Sequence, residues 1–470
     1  MTQEEAFKIL KTGDNVFLTG KAGSGKTYLL NQYIDYLKQN NVAVGVTAST
    51  GIAATHMEGL TIHSWAGIGI KDSMTDDEIR LLLFKDRLQD RFARTKVLII
   101  DEISMLHSYR LDLVDRVAKM FRASPQSFGG LQVILCGDFF QLPPVSRNAN
   151  PADFFAFKAQ SWEDSDLRVC YLETQYRQTD KTYSSLLNDI RDNKVNEETI
   201  ETLRPRYQAE MKDPAITKLY THNADVDAIN NLKLSQLRGE AKHFLMQSSG
   251  EPKLVDSLKQ NCLAPEDLVL KKGAVVMFLK NNFERGYVNG TLGTILEFEA
   301  GGYPVVKTRN GEQIEAVPES WRIEDEHEIL AEIDQIPLRL AWAITVHKSQ
   351  GMSLDAAEVD LSKSFEPGMG YVALSRIRTL AGLRLMGLNE TALKVNQEVL
   401  AIDQEFLSRS QKEAIALKKT SSEELKHSHN LFLNKSSVTQ PPKSFDIKDL
   451  KKKGKKKTSP VASWLNKIGL

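Results

Sequence analysis

The sequence predicts an α/β fold built on parallel sheets, interrupted late in the chain by a small antiparallel segment and ending in a basic tail. Three patterns point to it. Short apolar runs, residues 15–19 and 97–100 among them, alternate with helix-length amphipathic stretches such as YLLNQYIDYLKQ (28–39), as strands covered on both faces do. From 270 to 335 the pattern changes to short strands punctuated by Asn-Gly at 289–290 and 310–311, the signature of tight antiparallel connections. From Gln411 onward the chain carries 14 Lys and no Arg against 5 acidic residues.

At 470 residues with 41% apolar content the chain can bury more than one core, so several domains are expected. Basic and acidic residues both total 61, but the surplus of +9 after position 410 leaves residues 1–410 at −9. Any path for an acidic polymer must therefore be local rather than a bulk property. Cys136, Cys170 and Cys262 are odd in number and lack metal-ligand spacing, which argues for a reducing compartment and against structural zinc. The first residues show no basic stretch leading into a long apolar run, and no segment reaches membrane-span length. A soluble intracellular protein is expected, in the cytoplasm or nucleoid if bacterial, with no membrane partner.

Taken in order, residues 15–19 (NVFLT) form the first predicted strand, and GKAGSGKT (20–27) then leads into a helix. Strand, glycine loop and helix are the setting in which this spacing holds phosphates. Gly20, Gly23 and Gly25, with Ser24 between them, let backbone N–H groups turn toward phosphate oxygens at a helix N-terminus. Lys26 is expected to reach the β and γ phosphates, and the Thr27 hydroxyl to hold Mg²⁺. Downstream, VLIIDEISML (97–106) places Asp101 and Glu102 at the carboxyl end of a buried strand, where open parallel sheets gather their ligand chemistry. Asp101 is the expected Mg²⁺ partner, and Glu102 the expected base for the water attacking the γ-phosphate. These features imply nucleotide hydrolysis but fit a kinase, a GTPase, a loader ATPase or a motor alike.

Six further segments decide among these: TASTGIAA (47–54), TIHSW (61–65), GDFFQLPPV (137–145), YRQ (176–178), TVHKSQG (345–351) and YVALSR (371–376). With the two sites above they resemble, in order and over about residues 1–400, the PIF-type DNA helicases, relatives of the RecD helicase in superfamily one. The resemblance implies two RecA-like lobes, at 1–172 and at 173–269 with 336–410, and an SH3-like barrel at 270–335 inserted in the second. It implies an ATP- and Mg²⁺-dependent DNA helicase, expected as a monomer, that moves 5′ to 3′ on single-stranded DNA and opens tailed duplex. Gln3 then sits where the family reads adenine, Arg177 and Arg376 match its two arginine fingers, and Gly351 brings backbone close to the phosphates. Gln141 is expected to donate to the γ-phosphate or orient the attacking water. Thr50 and His63 are expected at the DNA from the first lobe, and Thr345, His347 and Lys348 from the second, with Pro144 leading the chain toward the same surface. Asn281, Asn282 and Asn289 are candidates in the barrel loops, although Asn in such turns also serves the turn itself. Trp65 either stacks on a base or belongs to the core.

The resemblance does not reach the last 60 residues. QKEAIALKKTSSEELKHSHN (411–430) retains a helical pattern, while SSVTQPPK and KKKGKKKTSP read as linker and basic tail. VASWLNKIGL (461–470) is either a docking peptide for a protein partner or solvated chain. Residues 411–470 are expected as a flexible basic tail. Two other uses of the chain fit the same residues: a DNA-stimulated translocase without processive unwinding, and a DNA-binding module switched by ATP.

Overall fold

The computed structural model describes residues 1–69, 71–144, 155–178, 180–211, 216–220, 226–282, 284–308, 310–325, 328–346, 349 and 351–436. Among them the first six strands are β1 (Val16–Gly20), β2 (Val44–Ala48), β3 (Leu60–Thr61), β4 (Val97–Asp101), β5 (Gln132–Cys136) and β6 (Arg168–Leu172). They form one sheet in the order β3-β2-β4-β5-β1-β6, parallel at every pairing. Alternate residues feed opposite cores. Val16, Leu18, Val97, Ile99 and Ile134 pack with Leu29, Leu30 and Leu37 of the helix Lys26–Gln39. Phe17, Leu98, Ile100, Val133 and Leu135 pack with Leu111, Val114 and Val117 of the helix Ser108–Phe121. Apolar runs without alternation are what two covered faces require. The carboxyl ends of β1, β4 and β5 thus leave the sheet on one edge, carrying the glycine loop, Asp101 and the Gly137-Asp138 pair.

The second half opens with β7 (Thr217–Tyr220) and then changes to antiparallel pairing. Its strands are β8 (Lys242–Leu245), β9 (Gln247–Gly250), β10 (Asp267–Leu270), β11 (Val275–Phe278), β12 (Leu292–Phe298), β13 (Pro304–Thr308), β14 (Gln313–Glu315), β15 (Glu319–Asp325), β16 (Glu328–Gln335) and β17 (Leu338–Leu340). β18 (Ala343–Thr345), β19 (Ala357–Leu361) and β20 (Leu383–Leu388) return to β7 as a parallel sheet, ordered β18-β7-β19-β20. The antiparallel part spans 242–340, wider than the expected 270–335, and it is divided. Five strands pair as β14-β13-β12-β11-β17, whereas the β15–β16 hairpin pairs with β9 and β10 pairs with β8. The Asn-Gly turns fall where expected, in the β11–β12 and β13–β14 connections, with φ of +93° at Gly290 and +91° at Gly311.

The expectation of a flexible tail from 411 is corrected for its first part. The chain continues as helices Gln397–Lys419 and Ser422–Ser436, which pack on the first sheet and its helices. Leu417 and Phe432 are buried there with Phe7 against them. The Arg168 guanidinium donates twice to Glu413, at 2.8 and 2.6 Å, and the Tyr171 amide donates to Ser410 Oγ at 2.9 Å. A one-sided apolar stripe outweighs the charged composition here. Residues 437–470, with the Lys-rich run and the last ten residues, lie outside the described residues. Among those described, no helix is long and apolar enough to cross a membrane.

Candidate active site

The glycine loop leaves β1 with Gly23 and Gly25 at φ of +78° and +81°, a region that side chains with a Cβ adopt at a cost. Both glycines are also in close contact. A Cβ at Gly23 would stand 2.4 Å from Arg177 Cβ, and one at Gly25 would stand 2.2 Å from Gln3 Nε2. Gln3 Nε2 donates to the Ser24 and Gly25 carbonyls at 3.2 and 3.3 Å. Its helix, Gln3–Leu10, is fixed by a Thr2/Glu5 capping box and by the Met1 ammonium, which donates to the Tyr171 carbonyl and to Glu173. Lys26 Nζ donates to the Gly20 and Lys21 carbonyls at 2.8 and 3.2 Å, and Thr27 follows in the first helical turn. Ser24 Oγ is buried without a hydrogen-bond partner among the described residues.

At the end of β4, Asp101 is 6% exposed, and burial raises its carboxyl above the usual range. Its Oδ1 accepts the Glu102 amide at 2.8 Å. Glu102 itself has φ 52° and ψ 44°, a left-handed conformation that costs roughly 1–2 kcal/mol away from glycine. Ser49 holds it there: its amide donates to the Asp101 carbonyl at 3.0 Å and its hydroxyl to the Glu102 carbonyl at 2.6 Å. Strain of this kind, held by neighbours, clusters at working sites.

β5 lies beside β4 in the sheet, so Gln141 emerges at the same edge. It is 7% exposed. Its Nε2 donates to Asp138 Oδ2 at 3.4 Å, and its Oε1 accepts from an Arg376 NH2 group at 2.9 Å. Arg376 follows the helix Met369–Ser375 of the second sheet, so this bond joins the two halves of the molecule. Arg177 stands against Gly23 and donates to the Ser375 carbonyl at 3.2 Å. Burial, and secondarily the Arg376 charge, pushes the Arg177 guanidinium down to about 9; burial also lowers that of Arg376. From the same helix, Tyr371 Oη accepts the Ala22 amide of the glycine loop at 3.2 Å. Two desolvated guanidiniums and an orphaned hydroxyl beside a glycine cradle suit a phosphorylated anion; Thr27 and Asp101 suit a hard cation. Tyr371 and Asp138 stand inside quoted motifs, but their contacts have no sequence signature.

The expected DNA contacts are less uniform. Thr50 caps the helix Gly51–His56, accepting the Ala53 amide at 3.3 Å. His63 lies 3.2 Å from Arg110, and burial first, then that charge, pushes its imidazole down to about 4. Trp65 is core: it is 1% exposed, with its ring 4.7 Å from that of Phe92. Pro144 is buried at the end of a described segment. Asn282 donates to Glu319 at 2.8 Å and accepts the Arg285 amide, while Asn281 accepts the Asn289 amide. Asn289 Oδ1 is buried without a hydrogen-bond partner among the described residues. Thr345 is 1% exposed at the end of β18, not at a surface. Gly351 has φ +78°, and a Cβ there would stand 3.9 Å from His56 Nδ1. His347 and Lys348 lie outside the described residues.

A glycine-loop strand, an acidic pair on a neighbouring strand, Arg177 from the segment after β6 and Arg376 from the second parallel sheet define a nucleotide-hydrolysing site between the two sheets. The comparisons agree. Residues 2–201 match the PIF1-like helicase family, and residues 253–298 match the DNA helicase Pif1 2B domain. The ATP-dependent DNA helicase Pif1 of Psychrobacter sp. (strain PRwf-1) is 44% identical, with 100% of this chain and 81% of that protein covered. The crystal structure of Bacteroides sp Pif1 in complex with ADP-AlF4 superposes with a TM-score of 0.76 at 31% identity, covering 86% of this chain and 96% of that one. Bacteroides Pif1 bound to ssDNA superposes with a TM-score of 0.56, again at 31% identity, covering 87% and 97%. This chain belongs to the PIF1-like helicase family: it is an ATP-dependent DNA helicase and thus an ATP-hydrolysing enzyme.

Proposed function

We propose that this helicase uses Mg²⁺-ATP to move 5′ to 3′ along single-stranded DNA, opening tailed duplex ahead of it. One observation carries the chemical part: the buried 2.9 Å bond from Arg376 to Gln141 Oε1, made between the two parallel sheets beside the glycine loop. In this reading the two sheets with their helices are the two lobes, and the inserted antiparallel strands close as an SH3-like barrel beside the DNA.

Gln3 reads the adenine edge. The amides of residues 20–25 receive the triphosphate, and Lys26 leaves the Gly20 and Lys21 carbonyls for its β and γ oxygens. Thr27 and Asp101 hold Mg²⁺, which when bound neutralises charge on those oxygens. Glu102 takes the proton of the attacking water, Gln141 orients that water, and Arg177 and Arg376 stabilise charge on the departing γ-phosphoryl. Both arginines belong to the second lobe, so loss of the γ-phosphate removes an anion that had held the lobes together. Thr50, His63 and Pro144 from the first lobe, and Asn282, Asn289, Thr345, His347 and Lys348 from the second and its insert, are the candidate residues along the strand. Thr50 and Thr345 need a local change to release their hydroxyls. The protein works as a monomer, and residues 437–470 add basic contact to DNA or to a protein partner.

Strand separation on 5′-tailed and 3′-tailed duplexes, with Lys26→Ala as the control, tests this. Opening of the 5′-tailed substrate alone is expected; equal opening of both, or of the 3′-tailed one alone, removes the directional claim.

A further inference from the structure

The helix Lys181–Arg191 takes no part in the chemistry above, yet it touches three pieces of it. Asn188 accepts from Lys21 Nζ of the glycine loop at 2.7 Å, and the Tyr183 hydroxyl donates to the Leu374 carbonyl at 2.7 Å, two residues before Arg376. Its last residue, Arg191, is 1% exposed. One Arg191 NH group donates to Asp138 Oδ1 at 2.7 Å. The other donates to the Tyr171 hydroxyl at 2.8 Å and to Asp403 Oδ1 at 3.2 Å. The guanidinium lies 4.0 Å over the Phe140 ring.

Asp138 has no solvent exposure, and a carboxylate there needs a cation. Arg191 is that cation. The second Asp138 oxygen takes the Gln141 Nε2 group, and the Gln141 amide nitrogen donates to the Asp138 carbonyl at 2.9 Å. A glutamine amide has a donor end and an acceptor end of almost equal size, so its orientation is set by its partners. Here Asp138 selects the donor end, leaving Oε1 for Arg376.

We propose that Arg191 is a positioning residue for ATP hydrolysis: by holding the Asp138 side chain in place it fixes the Gln141 amide with its donor end on Asp138 and its Oε1 turned toward Arg376 and the attacking water. Through Asp403 the same guanidinium ties that orientation to the helix Gln397–Lys419, which runs along β6. This inference rests on the assignment of Gln141 to hydrolysis given above.

The test measures kcat, KM for ATP and the thermal midpoint of the full chain, with and without single-stranded DNA, for five variants. Arg191→Met is compared with Asp138→Asn/Arg191→Met, which removes both buried charges, and with Arg191→Lys, Gln141→Ala and Gln141→Ala/Arg191→Met. The charge-free pair is expected to melt near the wild type with an unchanged KM and a kcat lowered about 10²- to 10³-fold, on the scale of losing one transition-state hydrogen bond. Arg191→Lys is expected to recover at least about a third of wild-type kcat. Arg191→Met is expected to add less than about twofold to the loss in Gln141→Ala, because groups acting in series are not additive. Wild-type turnover in the charge-free pair overturns the inference, as does full multiplication of the two single losses. If the charge-free pair melts early, Arg191→Lys decides: turnover as low as that of Arg191→Met overturns the inference. If Gln141→Ala itself keeps wild-type turnover, the assignment of Gln141 falls and this inference with it. A defective Gln141→Ala beside a fully active charge-free pair overturns the inference alone.

Discussion

Gly23→Ala separates the strain of the glycine loop from the docking of residues 176–178 on it. At φ +78° an alanine costs roughly 1–2 kcal/mol whether or not that segment is docked. The added Cβ would also stand 2.4 Å from Arg177 Cβ, where carbon atoms ordinarily approach to about 3.5–4.0 Å. Arg177 Cβ cannot swing away as a side-chain tip can, because the Tyr176 amide is bonded to the Gly23 carbonyl at 2.9 Å. An overlap of this kind costs about 1–3 kcal/mol, and only in the docked arrangement. Docking should therefore weaken about 5- to 150-fold, at 1.4 kcal/mol per tenfold. DNA-stimulated kcat should fall within that range, while DNA binding stays near the wild type. Repeating the substitution in an Arg177→Gly background, where the Cβ it strikes is gone, should show little further loss. A Gly23→Ala protein with kcat within about twofold of the wild type would mean that residues 176–178 do not dock on the loop during hydrolysis.

Glu102→Gln should still bind ATP and DNA while hydrolysis falls about 10²- to 10⁴-fold, the usual reach of a general base; near-normal steady-state turnover would reassign the base. Gln141→Ala should keep ATP affinity but unwind less duplex per ATP consumed, and an unchanged ratio would leave that amide a strand-end cap. Phe432→Ala should cost about 3 kcal/mol, because the ring is 9% exposed and packs on Gly13; an unshifted melting midpoint would argue that the helix Ser422–Ser436 is not docked. His56 and His63 are both pushed down to about 4, His56 by burial and then by Lys280, and His63 by burial and then by Arg110. Below the ordinary value of 6.5 the unfolded chain takes up protons that the fold refuses, so stability present above pH 6.5 is lost as pH falls toward 4. Melting midpoints across that window should drop less steeply in His56→Gln than in the wild type.

What was legible in the sequence was what is local. GKAGSGKT and VLIIDEISML each carry their strand, their turn and their reactive residues within a dozen positions, so spacing alone places them on one sheet edge. Gln141 and Arg376 were legible as separate roles, but their bond spans 235 positions and no pattern in either segment announces it. Arg191 is harder still: Asp138, Tyr171 and Asp403 reach it from three distant segments, and an arginine near a helix end reads as surface. Thr50 shows the reverse difficulty, since a cap and a DNA contact ask for the same hydroxyl and the sequence pattern does not separate them.

Charge misled where periodicity did not. The stretch after 397 buries Val399, Phe406, Ser410 and Leu417 at spacings of seven, four and seven, a one-sided stripe visible in the sequence beneath its lysines. That stripe seats the helix on the first sheet. The helix follows β20 of the second sheet and is pinned along β6 of the first by Ser410 and Glu413, over a length of about 34 Å at 1.5 Å per residue. Asp403 lies on this helix and accepts from Arg191, so the element that follows the second sheet and packs on the first is also bonded into the chain of contacts that ends at Gln141.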